Sequence, residues 1–296
     1  MPWNFPYWQV FRFAAPTLIS GNVNLLKHAP NVSGCALAIQ DVFLQAGLPE
    51  GVFQTLLMDE SRVAALIADE RVQGVTLTGS EAAGRAVGAN AGGSIKPSVL
   101  ELGGSDPLVV LSDGNPEEAA SIALKSRMLN TGQSCIAAKR LIVVSSHVEA
   151  FTEAFAQAMD TLVVGDPQSD ETDIGPLARP EFVEALHNQV RDSMDEGARC
   201  VTGGSLLPGP GAYYPPTLLV DVTEDMTCFK DETFGPVAVI IRAENDEDAL
   251  RLANKTRYGL GASVWTSPER GVELAARIQS GHVAINGMVK SDPRLP

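Results

Sequence analysis

The sequence predicts an α/β fold built on parallel strands. Short β-branched runs alternate with amphipathic helical stretches of about ten to fifteen residues along almost the whole chain, the pattern that writes parallel β–α–β layers. Glycines punctuate the places where strands end, at Gly79-Ser80 and Gly103-Gly104.

Taken in order, Ser33 is expected to cap a helix whose apolar face is Ala36, Leu37, Ile39, Phe43 and Ala46, stopped by Gly47 and the Pro49-Glu50-Gly51 turn. A strand at 52–57 follows, then a helix at about 60–69 and a strand at 74–78, with Ser80 opening the next helix. Strands at 99–102 and 108–111 flank the Gly103-Gly104 break. Asn115-Pro116-Glu117-Glu118 is a helix start: a capping amide, proline at the first helical position, then acids beside the positive end of the helix dipole. The remaining strands are expected at 140–144, 217–222, 237–241, 261–265 and 283–286, and helices at 147–162, 181–195, 246–255 and 268–279. The glycine break divides the chain into 1–103 and 104–290, leaving 291–296 as the start of a return segment.

Composition narrows the function classes. The 296 residues carry 22 Lys+Arg against 36 Asp+Glu, a net charge of −14 that argues against a nucleic acid partner. With 45% hydrophobic and 20% charged residues the chain is one that folds. No apolar run is long enough for a membrane span and no secretory signal leads the chain, so a cytoplasmic protein without a membrane partner is expected. Cys35, Cys135, Cys200 and Cys228 form no CxxC pair, and His28, His147, His187 and His282 have no zinc-like spacing, so neither a metal nor a disulfide framework is expected.

Several residues carry chemistry. Cys135, in Asn130-Thr131-Gly132-Gln133-Ser134-Cys135, has small polar neighbours that leave a thiol accessible for nucleophilic attack; an inert core cysteine is the alternative. Glu101 ends an apolar strand before two glycines, which suits a desolvated general base, or else a solvent-facing position in an alternating strand. Gly79-Ser80 leads into a helix of small residues whose first N–H groups can meet a pyrophosphate, or simply forms an N-cap. Lys27 follows a short strand and either enters a crevice at its carboxyl end or is solvated. Asn4, between Trp3 and Phe5, is an oxyanion donor or a satisfied turn residue. Six aromatics between Trp3 and Phe13 read as a buried segment.

The order of these features is more specific than any one of them. Pro2-Trp3-Asn4-Phe5-Pro6, Leu26-Lys27, Thr78-Gly79-Ser80, Leu100-Glu101-Leu102-Gly103-Gly104, Gly132-Gln133-Ser134-Cys135 and Glu232-Thr233-Phe234-Gly235-Pro236 resemble the successive signatures of the NAD(P)-dependent aldehyde dehydrogenases. Lys27-His28-Ala29-Pro30-Asn31, Gly103-Gly104-Ser105-Asp106-Pro107 and Tyr213-Tyr214-Pro215-Pro216-Thr217 are most similar to the bacterial succinate-semialdehyde dehydrogenases. The resemblance implies an incomplete Rossmann-like cofactor domain at 1–103 and an α/β catalytic thiol domain at 104–290. It implies NAD or NADP as cofactor, an aldehyde substrate and a homo-oligomeric parent protein.

It also implies roles: Cys135 as nucleophile, Glu101 as the base for deacylation and Asn4 as oxyanion donor. Trp3, Lys27, Gly79, Ser80, Leu102, Glu232 and Phe234 would line the cofactor, and Arg12 would meet a substrate carboxylate. Two positions depart from the pattern. Pro30 stands where NAD-preferring relatives often have a glutamate, which removes a repulsion of the NADP 2′-phosphate, and Leu129 stands where many succinate-semialdehyde enzymes have an arginine. The resemblance implies further elements before Met1 and after Pro296, so the chain is read as a segment of a longer enzyme. The alternatives are an inactive fragment serving as an interaction remnant, and a thiol esterase without redox function.

Overall fold

The computed structural model describes residues 1–292, so the expected return segment lies mostly outside the described residues. The chain forms two compact units, one of Met1–Gly103 with Asp292 and one of Gly104–Ser291.

In the first unit, α1 (Trp8–Ile19), β1 (Asn24–Leu26), α2 (Ser33–Gln45) and β2 (Phe53–Thr55) are followed by α3 (Val63–Ala68), β3 (Val75–Thr78), α4 (Glu81–Gly93) and β4 (Ser98–Glu101). The strands pair as two separate parallel ribbons, β1 with β2 and β3 with β4. Under the first ribbon lie Val10, Ala14, Leu26, Ala36, Ile39 and Phe53. Under the second lie Ile67, Val87 and Ala91. The glycines of α4 let β4 come close: a β-carbon on Gly84 would collide with the Leu102 side chain, and one on Gly88 would press on Leu100.

Three expectations change here. Ser33 does not cap α2; the chain enters through a 3-10 turn at Pro30–Val32, and the Ser33 hydroxyl donates back to the Pro30 carbonyl at 3.0 Å. The helix expected at 60–69 is a 3-10 turn over Glu60–Arg62, capped by Asp59, followed by the short α3. The aromatics of the first 13 residues are not buried: Tyr7, Trp8 and Phe13 are exposed and Trp3, Phe5 and Phe11 are half-buried, because α1 packs through Val10 and Ala14.

The second unit holds β5 (Asp106–Val110), α5 (Pro116–Met128), β6 (Ala138–Val144), α6 (Val148–Met159), α7 (Pro180–Asp195), β7 (Arg199–Thr202) and β8 (Thr217–Val220). It continues with α8 (Thr227–Lys230), β9 (Val237–Ala243), α9 (Asp246–Asn254), β10 (Gly261–Trp265), α10 (Pro268–Ala275) and β11 (His282–Ile285). Seven strands form one sheet in the order β11-β10-β5-β6-β9-β8-β7. The period-2 pleat sends Leu108, Val110, Leu141 and Val143 to one core with α5 and α6, while Val109, Ile142, Val239 and Ile241 enter another with α7, α9 and α10. The cap at Asn115 forms as the sequence predicts, its side chain accepting from the Glu118 N–H at 3.0 Å.

The sheet is not wholly parallel, because β7 runs antiparallel to β8. The chain returns from Thr202 to Thr217 without a helix, and a parallel pairing would need a crossover.

Arg140, fully buried on β6, ties this sheet to α9. Its guanidinium donates to the Ser105 carbonyl at 2.9 Å and to the last-turn carbonyls of Leu252 at 2.9 Å and Ala253 at 3.0 Å, and it lies over the Phe229 ring. Carbonyls at a helix C-terminus carry the negative end of its dipole, so the cation is well placed there. Burial lowers its pKa to about 10, which leaves it charged at neutral pH. Arg140→Leu is expected to lower the unfolding free energy by about 3–5 kcal/mol, since it strands three buried carbonyls; urea denaturation measures this.

Candidate active site

In the second unit, two loops meet at the carboxyl end of α5. The first, 129–135, runs from α5 towards β6 and carries Cys135; the second, 231–236, joins α8 to β9 and carries Glu232 and Phe234. Asn130, Thr131 and Gly132 follow one another with φ of 55°, 56° and 73°. A β-branched threonine is uncommon in that region and persists only where its surroundings fix it. Here they do: Gln133 donates to the Asn130 carbonyl at 3.2 Å and accepts the Ala178 N–H at 2.9 Å. Gly132 has no alternative residue, because a β-carbon would run into the Gly235 carbonyl of the second loop.

Arg127, fully buried in the last turn of α5, joins the loops. One nitrogen of its guanidinium donates to the Gly132 carbonyl at 3.1 Å, to the Thr233 carbonyl at 3.0 Å and to the Gly235 carbonyl. Burial pulls its pKa down to about 10, so it stays a cation. Lys139, 1% exposed on β6, makes a second tie. It donates to the carbonyls of Ser134 at 2.8 Å and Cys135 at 2.7 Å and pairs with Glu232 Oε1 at 3.2 Å. Glu232 Oε1 also accepts the Gly104 N–H at 3.2 Å, and the Glu232 carbonyl accepts from Gln189 of α7 at 3.1 Å.

Cys135 is half-buried, less open than its small neighbours suggest. Burial raises its thiol pKa, Lys139 lowers it, and the carboxylates of Asp106 and Glu232 raise it further. Asp106, at the start of β5, fits between Gly104 and Gly261 and accepts the Gly261 N–H at 3.1 Å; burial pushes its carboxyl up to about 7.

The remaining sequence-predicted residues belong to the first unit. Trp3 and Asn4 lie in the turn before α1, and Arg12 is half-buried on that helix. Lys27 follows β1, where its ammonium pairs with Glu60 at 3.4 Å. Ser80 caps α4, its hydroxyl accepting the Ala83 N–H at 3.3 Å, and a β-carbon on Gly79 just before it would touch the Leu77 and Ala83 side chains at ordinary contact distance. Glu101 ends β4 half-buried, and Leu102 covers Gly84. Glu101 does not sit in an apolar strand interior, because Val99 is 59% and Leu100 36% exposed.

Sequence reasoning missed five residues. Arg127, Lys139 and Asp106 read as ordinary charges until the fold buries them, and Glu60 reaches Lys27 from 33 positions away. The fifth is His28, buried between the segments that hold Asn4: Nε2 faces the Pro6 carbonyl at 2.9 Å and Nδ1 lies 2.9 Å from the Ala29 N–H. Glu60 also changes the meaning of Pro30. An acid is absent at position 30, yet a carboxylate still stands beside the lysine.

A model of the aldehyde dehydrogenase family matches residues 1–296, and the chain belongs to that family. It is 53% identical to a probable succinate-semialdehyde dehydrogenase [NADP(+)] of Synechocystis and 49% identical to the succinate semialdehyde dehydrogenase [NAD(P)+] Sad of Escherichia coli, in each case over 100% of this chain. It spans 65% and 64% of those two relatives' lengths. A crystal structure of succinic semialdehyde dehydrogenase from Streptococcus pyogenes with NADP+ superposes with a TM-score of 0.96 at 36% identity, covering 100% of this chain and 65% of that one. The α/β fold expected from the sequence is therefore the family's. Among the described residues no group of His, Cys, Asp and Glu is arranged to hold a metal ion, and no helix is long and apolar enough to cross a membrane.

The burial of His28 generates a pH prediction. Burial is the largest cause and lowers its pKa from 6.5, so the folded state holds the ring neutral while the unfolded chain takes up a proton sooner. Stability contributed by this site is complete above pH 6.5 and is lost as pH falls through the folded value. Melting followed by tryptophan fluorescence is expected to fall below pH 6.5 in the native protein, and His28→Gln should flatten that slope.

Proposed function

We propose that the protein oxidises an aldehyde with a distal carboxylate, succinic semialdehyde first, to the acid with NAD or NADP. The observation that carries this reading is the arrangement around Cys135: a half-buried cysteine whose carbonyl accepts from a buried ammonium, on a loop fixed to the one that carries Glu232. The family membership and the names of its relatives supply the direction of the chemistry.

The donor set of the first unit fits a dinucleotide. Helix α4 starts directly after a parallel strand, and its first amides lie at the helix end that follows Gly79. An ammonium, Lys27, stands after the neighbouring parallel ribbon's first strand. Amides at a helix N-terminus suit a pyrophosphate, and a lysine suits ribose hydroxyls or a 2′-phosphate. Lys27, Ser80, Gly79, Trp3, Leu102, Glu232 and Phe234 would hold the cofactor. When bound, the nicotinamide supplies the hydride acceptor.

The chain's own residues do the rest. Cys135 Sγ, as thiolate, attacks the aldehyde carbon and forms a thiohemiacetal. The oxyanion is stabilised by the Asn4 amide and the Cys135 N–H, donors that act where charge develops. Once the adduct has been oxidised to a thioester, Glu101 takes a proton from the water that hydrolyses it, releasing the acid and the thiol. Arg12 supplies a guanidinium for the distal carboxylate, which a planar fork meets bidentately. The parent protein is read as a cytoplasmic homo-oligomer.

The test is NAD(P)+-dependent oxidation of succinic semialdehyde with a rapid-mixing record of NADPH formation. Cys135→Ala is expected to abolish oxidation while retaining cofactor binding, and Glu101→Gln to keep the first-turnover burst while slowing steady turnover by about 100-fold or more. Full activity in Cys135→Ala would overturn the reading.

A further inference from the structure

Among the described residues Lys139 is the one lysine whose charge the fold conceals so completely: it is 1% exposed, on a strand with both faces covered. Its three hydrogen-bond and ion-pair partners are all oxygens, the carbonyls of Ser134 and Cys135 at 2.8 and 2.7 Å and the carboxylate of Glu232 at 3.2 Å. An ammonium has three N–H donors and no acceptor, so the three oxygens match it. A neutral amine would turn a lone pair towards one of them. The site therefore specifies a buried cation, although burial works against one; Glu232 and Asp106 oppose that penalty.

Two of the three acceptors are backbone atoms of the nucleophile's own loop. The third is the carboxylate on the loop that Arg127 ties to it. We propose that Lys139 is a positioning residue: as an ammonium it fixes the Cys135 loop and Glu232 in one arrangement and provides the positive charge that stabilises the Cys135 thiolate. The proposal rests on Cys135 being the nucleophile.

The charges facing the thiol come from several elements. Lys139 of β6 favours the thiolate, whereas Asp106 of β5 and Glu232 of the loop before β9 oppose it. Arg127 of α5 acts on the same network through Glu232 and Lys139, and Arg140 of β6 acts on Asp106. Removing the lysine leaves two carboxyl groups beside the sulfur without their nearest counter-charge. Removing the Glu232 charge while keeping Lys139 works in the opposite sense.

The experiment follows alkylation of Cys135 by iodoacetamide from pH 6 to 10 in the 296-residue chain, with the modified peptide quantified by mass spectrometry. The midpoint reports thiolate formation, and the plateau at high pH reports access, so loosened packing and lost charge are separable. Lys139→Met is expected to raise the midpoint by about one pH unit or more, a tenfold loss of thiolate at neutral pH. Glu232→Gln is expected to lower it, and this variant carries the test if Lys139→Met does not fold.

A Lys139→Met protein that melts at lower temperature yet keeps the native midpoint would show a purely structural lysine and overturn the proposal. So would an unchanged or raised midpoint in Glu232→Gln. The titration uses neither aldehyde nor cofactor, so a shifted midpoint in a protein that oxidises no aldehyde leaves Lys139's role intact and removes the substrate reading. A Cys135 that resists alkylation throughout this range would end both.

Discussion

The loops around Cys135 and Glu232 depend on buried cations meeting backbone carbonyls. Arg127, Lys139 and Arg140 have almost no solvent exposure, and their main partners are carbonyl oxygens of loops and helix ends, not solvent-exposed acids. Desolvating a charge is expensive, and a cation that loses its acceptors is left without compensation. The cost makes the arrangement selective: loops that place their carbonyls elsewhere leave a bare charge in the core. A strained run of left-handed residues, Asn130 to Gly132, is thereby held directly ahead of Cys135.

The same constraint explains why the two loops behave as one structural object. Gly132 and Gly235 approach so closely that a β-carbon on Gly132 would run into the Gly235 carbonyl, and Arg127 donates to the carbonyls of both. Lys139 repeats the connection one layer away, between Cys135 and Glu232. The first unit solves its own problem by different means. There, His28 fastens the Asn4 turn through the Pro6 carbonyl, and the helix start at Ser80 depends on an ordinary hydroxyl cap.

The parts of this architecture that local rules govern were legible in the sequence. The Asn115-Pro116 helix start, the apolar strands and the β10 limits at 261–265 follow from capping chemistry and periodicity. The small, polar neighbours of Cys135 make it a candidate nucleophile or an inert cysteine on local information alone, and the fold leaves it half-buried. Strand β7 was not, since Arg199-Cys200-Val201-Thr202 is short and half polar and becomes a strand only by pairing with β8. Lys139 and Arg127 were illegible for a deeper reason. A basic residue reads as solvated unless its acceptors are known, and these acceptors lie on the backbone up to 108 positions away. Glu60 beside Lys27 is the same case, for position 30 is a proline and the carboxylate that pairs with the lysine comes from the turn after β2.

The claim that buried cations make the two loops a single unit is tested most directly by native-state hydrogen exchange at the backbone amides of 130–135 and 232–235. The account predicts that both sets exchange with one common opening free energy, close to that of the β6 amides, and that Arg127→Leu lowers it for both together. Separate opening free energies for the two loops, or an Arg127→Leu protein in which only the Cys135 loop loses protection, would contradict it.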